Sequence, residues 1–231
     1  MISVEDLKVV YGRHVVLAGL DLKLEPGRVH GLIGRNGAGT STLLDTLYGF
    51  VSPAAGRMLY RGMPLRRGHV GYLPASNHFY PMLTGREYLR LFRSRRPEFN
   101  IEGWNELFEL PLDALIERYS LGMQKKLALL GVLSLGRPFL VLDEPYNGLD
   151  LETNHILGRL LRELAAGGGT VLVTSHVLGT LKDGCNAVHL LASGRILRTF
   201  RPHEYGQLEE NLLDEETARK LERVQGLLTP Q

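Results

Sequence analysis

Leu20, Leu22 and Leu24 alternate with Asp21, Lys23 and Glu25, the period-two pattern of a strand with one buried face. Pro26-Gly27 breaks that run and turns the chain, and the first 33 residues as a whole read as strand. VHGLI (29–33) is a short apolar run that ends directly at Gly34. Beyond the glycine-rich stretch GRNGAGTST (34–42), Leu43, Leu44 and Leu47 fall at helical spacing. The stretch therefore lies between a predicted strand and a predicted helix.

Further strands are predicted in GRMLYRGMPL and HVGYL, within residues 56–73. From about 84 to 135 the pattern becomes helical. Thr84 and Glu87 form a capping box at the head of LTGREYLRLF, and WNELFEL and MQKKLALLGVL follow. Strands return at FLVL (139–142), TVLV (170–173), AVHLL (187–191) and RILRTF (195–200), with a helix near 152–165. This order fits an α/β nucleotide-binding core with an inserted helical block. The tail from about 203 is acidic and then amphipathic, with Leu221 and Val224 on one face, and is expected to pack on the core as a closing helix. No internal repeat or low-complexity segment interrupts the pattern.

Composition changes this picture little. With 231 residues the chain can bury a sizeable core, and 44% hydrophobic and 23% charged residues are ordinary for a globular protein. A net charge of +2 leaves no dominant basic face, so RSRRPE (93–98) is read as a solvated loop rather than a nucleic-acid site. The single cysteine, Cys185, excludes an internal disulfide and suits a reducing compartment. It is read as a small buried hydrophobe in a loop entering a strand. MISVEDLKVVYG has neither the basic start nor the apolar stretch of a signal peptide, and no run of 18 apolar residues occurs. A soluble, cytoplasmic chain is expected, reaching a membrane only through a partner.

The chemistry centres on GRNGAGTST. Backbone N–H groups of residues 34–39 and the start of the helix near Thr40 offer a concave positive site for phosphates. Gly34, Gly37 and Gly39 permit backbone angles and a close approach that side chains would block. Arg35, Asn36, Ala38 and Thr42 complete the candidate loop, and Ser41 stands where a hydroxyl can ligate magnesium. FLVLDEP (139–145) is a buried strand ending in two carboxylates. Asp143 is placed to reach magnesium, and Glu144 to polarise an attacking water. In YSLGMQ (119–124), Ser120 can cap the following helix and Gly122 leaves room for an anion at its positive end. In TSH (174–176), His176 lies at a strand end, on the rim where α/β proteins place ligands.

Together these segments resemble the nucleotide-binding subunits of ATP-binding cassette (ABC) transporters over roughly residues 1–205. GRNGAGTST resembles the Walker A loop, YSLGMQ the family signature, FLVLDEP the Walker B strand, NGLD (147–150) the D-loop and TSH the switch histidine. The phrasing of YSLGMQKK and GYLP is closest to the multidrug and antibiotic export type, the ABC-2 type, whose membrane subunits are separate chains. The resemblance implies a P-loop NTPase core with a small antiparallel β subdomain and an inserted helical subdomain at about 77–137, followed by a helical tail at 206–231. It implies ATP and Mg2+ as cofactors, with Tyr11 stacking on adenine. Ser120, Gly122 and Gln124 would complete the site of a second cassette, with Asp150 in the D-loop. Glu144 would be the catalytic base, with His176 holding the γ-phosphate and water. The implied partners are that second cassette, in a homo- or heterodimer, and a membrane-spanning permease subunit. The chain would then sit on the inner face of the cell membrane, and no nucleic-acid partner is expected.

Three positions depart from the family pattern. Thr40 stands where the loop motif has lysine, Ala75 where a glutamine or glutamate is usual, and Leu121 where the signature has its first glycine. Thr40 matters most, because removing one partner of a desolvated charge pair costs about 3–5 kcal/mol, or about 10²- to 10³-fold in affinity or rate. Weakened nucleotide binding and poor hydrolysis are the expectation. Arg35 could supply a substitute cation. Two readings stay open: an ATPase with one damaged position, or a subunit that binds nucleotide without turnover and serves as a regulator or scaffold.

Overall fold

The structure, a computed structural model, describes residues 1–93 and 97–208. The chain begins with β1 (Ile2–Tyr11), β2 (His14–Leu24) and β3 (Arg28–Gly34), then α1 (Thr40–Tyr48). β4 (Ala55–Tyr60), β5 (Met63–Pro64) and β6 (Val70–Leu73) lead to a helical segment made of α2 (Gly85–Arg93), α3 (Ile101–Asn105) and α4 (Leu121–Ser134). The chain then runs through β7 (Phe139–Leu142), α5 (Leu151–Ala166), β8 (Thr170–Thr174), α6 (Leu178–Gly184), β9 (Ala187–Ala192) and β10 (Arg195–Phe200).

Two sheets result. One is antiparallel with strand order β2-β1-β4-β5; the other has order β10-β9-β3-β8-β7-β6. In the second sheet β3 runs parallel to both β8 and β9, β7 runs parallel to β6 and β8, and β10 alone closes the edge antiparallel to β9. The centre of this sheet is covered on both faces, which explains why FLVL and TVLV carry apolar runs instead of an alternation. Leu140 and Leu142 face one core with Leu127, Leu130, Leu157 and Leu161 of the helices. Phe139 and Val141 face a second core with Leu43, Leu44 and Leu47 of α1 and Leu17, Leu20 and Leu22 of β2. The central sheet is thus held between the helical segment and the antiparallel sheet, and the period of two assigns alternate residues to each side.

The helical segment is tied together locally. The Thr84–Glu87 capping box forms as expected: the Glu87 N–H donates to Thr84 Oγ1 at 3.2 Å and the Thr84 N–H to Glu87 Oε2 at 2.9 Å. Arg86 pairs with Glu102 and with Asp113, joining α2 to the chain around α3. Tyr88 and Phe92 of α2 pack on Gly131 of α4, where an added Cβ would lie 3.1 Å from each ring. The helix expected through WNELFEL stops at Asn105. That residue's side chain accepts from the Leu110 N–H and donates to the Leu110 carbonyl, both at 3.0 Å, and so closes a turn. The strand candidate at 56–65 divides at Arg61-Gly62, both at positive φ, into β4 and β5.

Cys185 is buried between α6 and β9, and burial pushes its thiol up to about 12; the small-hydrophobe reading holds. Part of RSRRPE and the tail carrying Leu221 and Val224 lie outside the described residues.

Candidate functional site

β3 is flanked on both sides by parallel strands, so its C-terminal end opens where helices on both faces begin. Gly34 is its last residue. An added Cβ there would lie 2.7 Å from the Leu191 carbonyl and 3.2 Å from Thr40 Oγ1, so only glycine lets the loop turn against β9. Gly39 (φ 105°) then caps α1 with no side-chain hydrogen bond, and the helix N-terminus faces outward with its N–H groups and positive dipole end. From behind, Gly194 N–H donates to the Ala38 carbonyl at 3.3 Å, and Ala38 N–H to Arg35 O at 2.9 Å.

In front of this loop lies a cavity of about 330 Å³. Gly34 to Gly37 and Gly39 to Thr42 form its floor, Asp143 and Glu144 one wall, Ser175 and His176 another, and His14 and Val16 of β2 its outer edge. Oriented N–H groups at a helix start, with hard oxygen ligands opposite, suit a phosphate chain with a magnesium ion. Ser41 and Asp143 are of the right donor type for that ion. Among the described residues no group of three or more His, Cys, Asp or Glu side chains could hold a metal.

The carboxylate corner is built tightly. Asp143 is buried (8% exposed), and its N–H donates to the Leu73 carbonyl of β6 at 2.8 Å. Thr174, at the end of β8, donates from Oγ1 to Asp143 Oδ1 at 2.7 Å and accepts from Glu144 N–H at 2.8 Å. Glu144 is held at φ 47°, a strained angle for a residue with a side chain. His176 Nε2 stands 3.6 Å from Glu144 Oε1. Burial raises the Glu144 carboxyl above its ordinary range; Asp143 adds to this, while His176 and Lys125 oppose it.

At position 40 the side chain is a half-buried threonine whose hydroxyl lies close over Gly34. It brings no charge to the cavity. Arg35 lines the rim with its residue exposed.

Such a strand–glycine loop–helix, faced by a buried carboxylate at the end of a parallel strand one further along the same sheet, defines a P-loop nucleotide-binding protein. The chain belongs to the ABC transporter family: the family model for "ABC transporter" matches residues 17–147. Among curated proteins it is 31% identical to Nod factor export ATP-binding protein I of Cupriavidus metallidurans, over 88% of this chain and 72% of that protein. It is 32% identical to the ABC transporter ATP-binding protein YtrB of Bacillus subtilis, over 83% of this chain and 68% of that one. A solved ATP-binding subunit of an ABC transporter superposes with a TM-score of 0.80 at 26% identity, covering 92% of this chain and 94% of its own. An ATP-binding cassette solved as a dimer in a post-hydrolysis state with ADP and phosphate gives 0.76 at 20% identity, covering 87% and 99%. The chain is thus an ATP-binding subunit of the transport-coupled ATPase class, with the P-loop NTPase fold.

The candidate residues divide into two groups. Gly34 to Gly37, Gly39 to Thr42, Asp143, Glu144 and His176 are brought together around one cavity; Ala38 supports the loop from beneath and is 8% exposed. Ser120, Gly122, Gln124, Asp150 and Tyr11 do not line it. Ser120 caps α4, accepting from Met123 N–H at 3.2 Å. Gly122 packs against the Gly148 carbonyl, 2.7 Å from where its Cβ would be, and Gln124 turns back to the Tyr119 carbonyl at 3.4 Å. Asp150 caps α5 through the Thr153 N–H and pairs with Lys126 at 3.4 Å, which hold its carboxyl at about 2. Tyr11 ends β1 at 51% exposure. His14, Thr174 and Lys125 are contributors that the sequence pattern does not single out. Thr174 stood inside TSH and Lys125 inside MQKK, but nothing in their spacing marks them.

Proposed function

We propose that the chain is the ATP-hydrolysing subunit of an export system, which closes on a second cassette and drives a separate membrane-spanning subunit from the inner face of the membrane. The observation that carries the catalytic part is the Glu144–His176 pair, 3.6 Å apart beside buried Asp143 and open to the phosphate loop. Glu144 Oε1 would accept the proton of the attacking water. His176 would hold that water and the terminal phosphate in line, and Ser41 and Asp143 would hold Mg2+, which supplies charge neutralisation when bound. The exposed N-terminal turn of α4, outside this cavity, supports a role for Ser120, Gly122 and Gln124 on a partner's nucleotide, with Asp150 nearby. The pairing of two cassettes is in keeping with a neighbour of the same fold that was solved as a dimer with ADP and phosphate. Tyr11 would stack on the adenine. The export direction rests on the relatives named for Nod factor export. No helix among the described residues is long and apolar enough to cross a membrane. The helices between residues 77 and 137 are proposed as the inserted subdomain on which that subunit docks.

Thr40 makes hydrolysis slow in this reading, because the loop contributes N–H groups and a hydroxyl but no ammonium. The alternative, a subunit that binds without turnover, is separated from it by one assay. Phosphate release and nucleotide affinity are measured on the purified chain and on Thr40→Lys, with and without Mg2+. Slow release that rises at least about tenfold in Thr40→Lys supports the reading. Fast release from the chain as it stands removes the role given to Thr40. Binding with no release from either protein establishes the non-hydrolysing subunit.

A further inference from the structure

Lys125 lies on the first turns of α4, beside the signature segment, yet it is 5% exposed. Its Nζ donates to three backbone carbonyls: Ala75 at 2.9 Å, and Pro74 and Asp143 at 3.4 Å each. Those carbonyls belong to two different pieces of chain. Pro74 and Ala75 are where the chain leaves β6 for the helical segment, and Asp143 begins the carboxylate corner beyond β7. The same ammonium faces the negative charges of Asp143 and Glu144. The next residue, Lys126, is half-buried and pairs instead with Asp150 at 3.4 Å. Burying an ammonium is costly, and the cost is offset only where acceptors and opposite charge surround it. Here both are supplied from one joint.

Within the sheet the corner is pinned by the Leu73 carbonyl on one side and Thr174 on the other, and in the loop beyond it the Asn147 N–H donates to the Glu144 carbonyl at 3.2 Å. Lys125 reaches the corner from the helical segment. A cation at this joint can carry a displacement of α4 to the exit of β6 and to the carboxylates together. An apolar side chain of equal length could fill the space but could not hold the three carbonyls.

We propose that Lys125 is a positioning residue: its ammonium clamps the 74–75 turn to the Asp143–Glu144 corner, so that the helical segment sets where the carboxylates stand relative to the phosphate loop. The clamp itself is a property of the chain alone, while its consequence for nucleotide rests on the reading proposed above.

Two measurements on the full chain test it, using Lys125→Met, which keeps the stem, Lys125→Gln, which keeps a shorter donor without charge, and Lys125→Arg, which keeps the charge. Hydrogen exchange followed by mass spectrometry, without nucleotide, is expected to speed up at least about threefold in Lys125→Met and Lys125→Gln in both 73–83 and 143–147, with β9 and β10 unchanged. Titration with a fluorescent ATP analogue is expected to show that Lys125→Met loses about tenfold of the affinity gained on adding Mg2+, the scale of one hydrogen bond to a charged group, with Mg2+-free affinity within about twofold. Lys125→Arg restores most of both effects. The clamp is overturned if either segment exchanges as in the unmodified chain, or if affinity falls equally with and without Mg2+. Should Lys125→Met fail to fold, Lys125→Gln and Lys125→Arg decide by the same criteria. If the unmodified chain binds no analogue at all, the nucleotide reading fails, and the exchange result alone decides the clamp.

Discussion

Thr174→Val removes one oxygen and almost no volume, and the structure makes that oxygen a hub. Thr174 is 3% exposed. Its hydroxyl proton goes to Asp143 Oδ1 at 2.7 Å, and its lone pair takes the Glu144 N–H at 2.8 Å. Valine leaves a buried carboxylate oxygen and a buried amide without these partners, in a corner where Glu144 already sits at φ 47°. A hydrogen bond to a charged group contributes about 1.5–3 kcal/mol and a neutral one about 1 kcal/mol. Water reaching the corner from the open cavity recovers part of that. The expected loss is about 2–3 kcal/mol of unfolding free energy, read from the urea midpoint at unchanged slope. The second expectation is functional: with the strained backbone released, the Glu144 carboxylate drifts from His176, and the Mg2+-dependent part of nucleotide binding weakens about tenfold. Thr174→Ser keeps the hydroxyl and should recover most of both effects, losing mainly the methyl packing. A Thr174→Val chain within about 0.5 kcal/mol of the parent, or a Thr174→Ser chain as weak as Thr174→Val, would refute the hub.

Two further expectations come from other parts of the fold. Under the central sheet His30 Nδ1 lies 3.2 Å from His189 Nε2, His189 Nδ1 lies 2.8 Å from Thr199 Oγ1, and His30 Nε2 lies 3.0 Å from the Glu25 carbonyl. Burial lowers both imidazoles, His189 from 6.5 to about 3. The unfolded chain therefore binds more protons below pH 6.5, so the stability held above that pH is lost as pH falls, at about 1.4 kcal/mol per pH unit for His189 alone. Urea unfolding at pH 7.5 and 5.5 should show a pH loss about 1 kcal/mol smaller in His189→Gln than in the parent; equal losses would contradict the buried neutral pair. Gly39→Ala places a Cβ 2.9 Å from Leu17 Cδ2 at φ 105°, costing about 1–3 kcal/mol. It should abolish binding of the ATP analogue while the rest of the fold persists, and a folded variant with parental affinity would show that the loop tolerates a side chain there.

Much of the architecture is local and could be read from the chain. The apolar runs at 29–33, 139–142 and 170–173 became three neighbouring parallel strands, and the Thr84–Glu87 box formed as its spacing implies. The phosphate loop was legible for the same reason: its chemistry uses contiguous backbone, so glycine positions, the preceding strand and the following helix are all written side by side. The departure at Thr40 was equally visible, since a lysine is absent from a fixed place in a short motif. Even there the sequence could not show that the threonine hydroxyl folds over Gly34 instead of pointing away.

The rest depended on strands brought together from distant sequence. That β8 lies between β3 and β7 is what aligns Gly34, Thr174 and Asp143 at one edge, and no local pattern encodes strand order. Lys125 and Lys126 are the sharpest case. Adjacent residues of one type differ by about 100° around a helix, and α4 is apolar on most sides, so periodicity could not say which lysine faces inward. The acceptors that admit Lys125 to the interior are carbonyls of residues 74, 75 and 143, and only the folded chain puts them within its reach. The sequence by itself determined most of the strands and longer helices and which groups could bind phosphate, though not where the WNELFEL helix stops or that residues 178–184 are helical. The tertiary structure decided which side chains hold those groups in place, because a buried charge is stable only where partners from several segments converge on it.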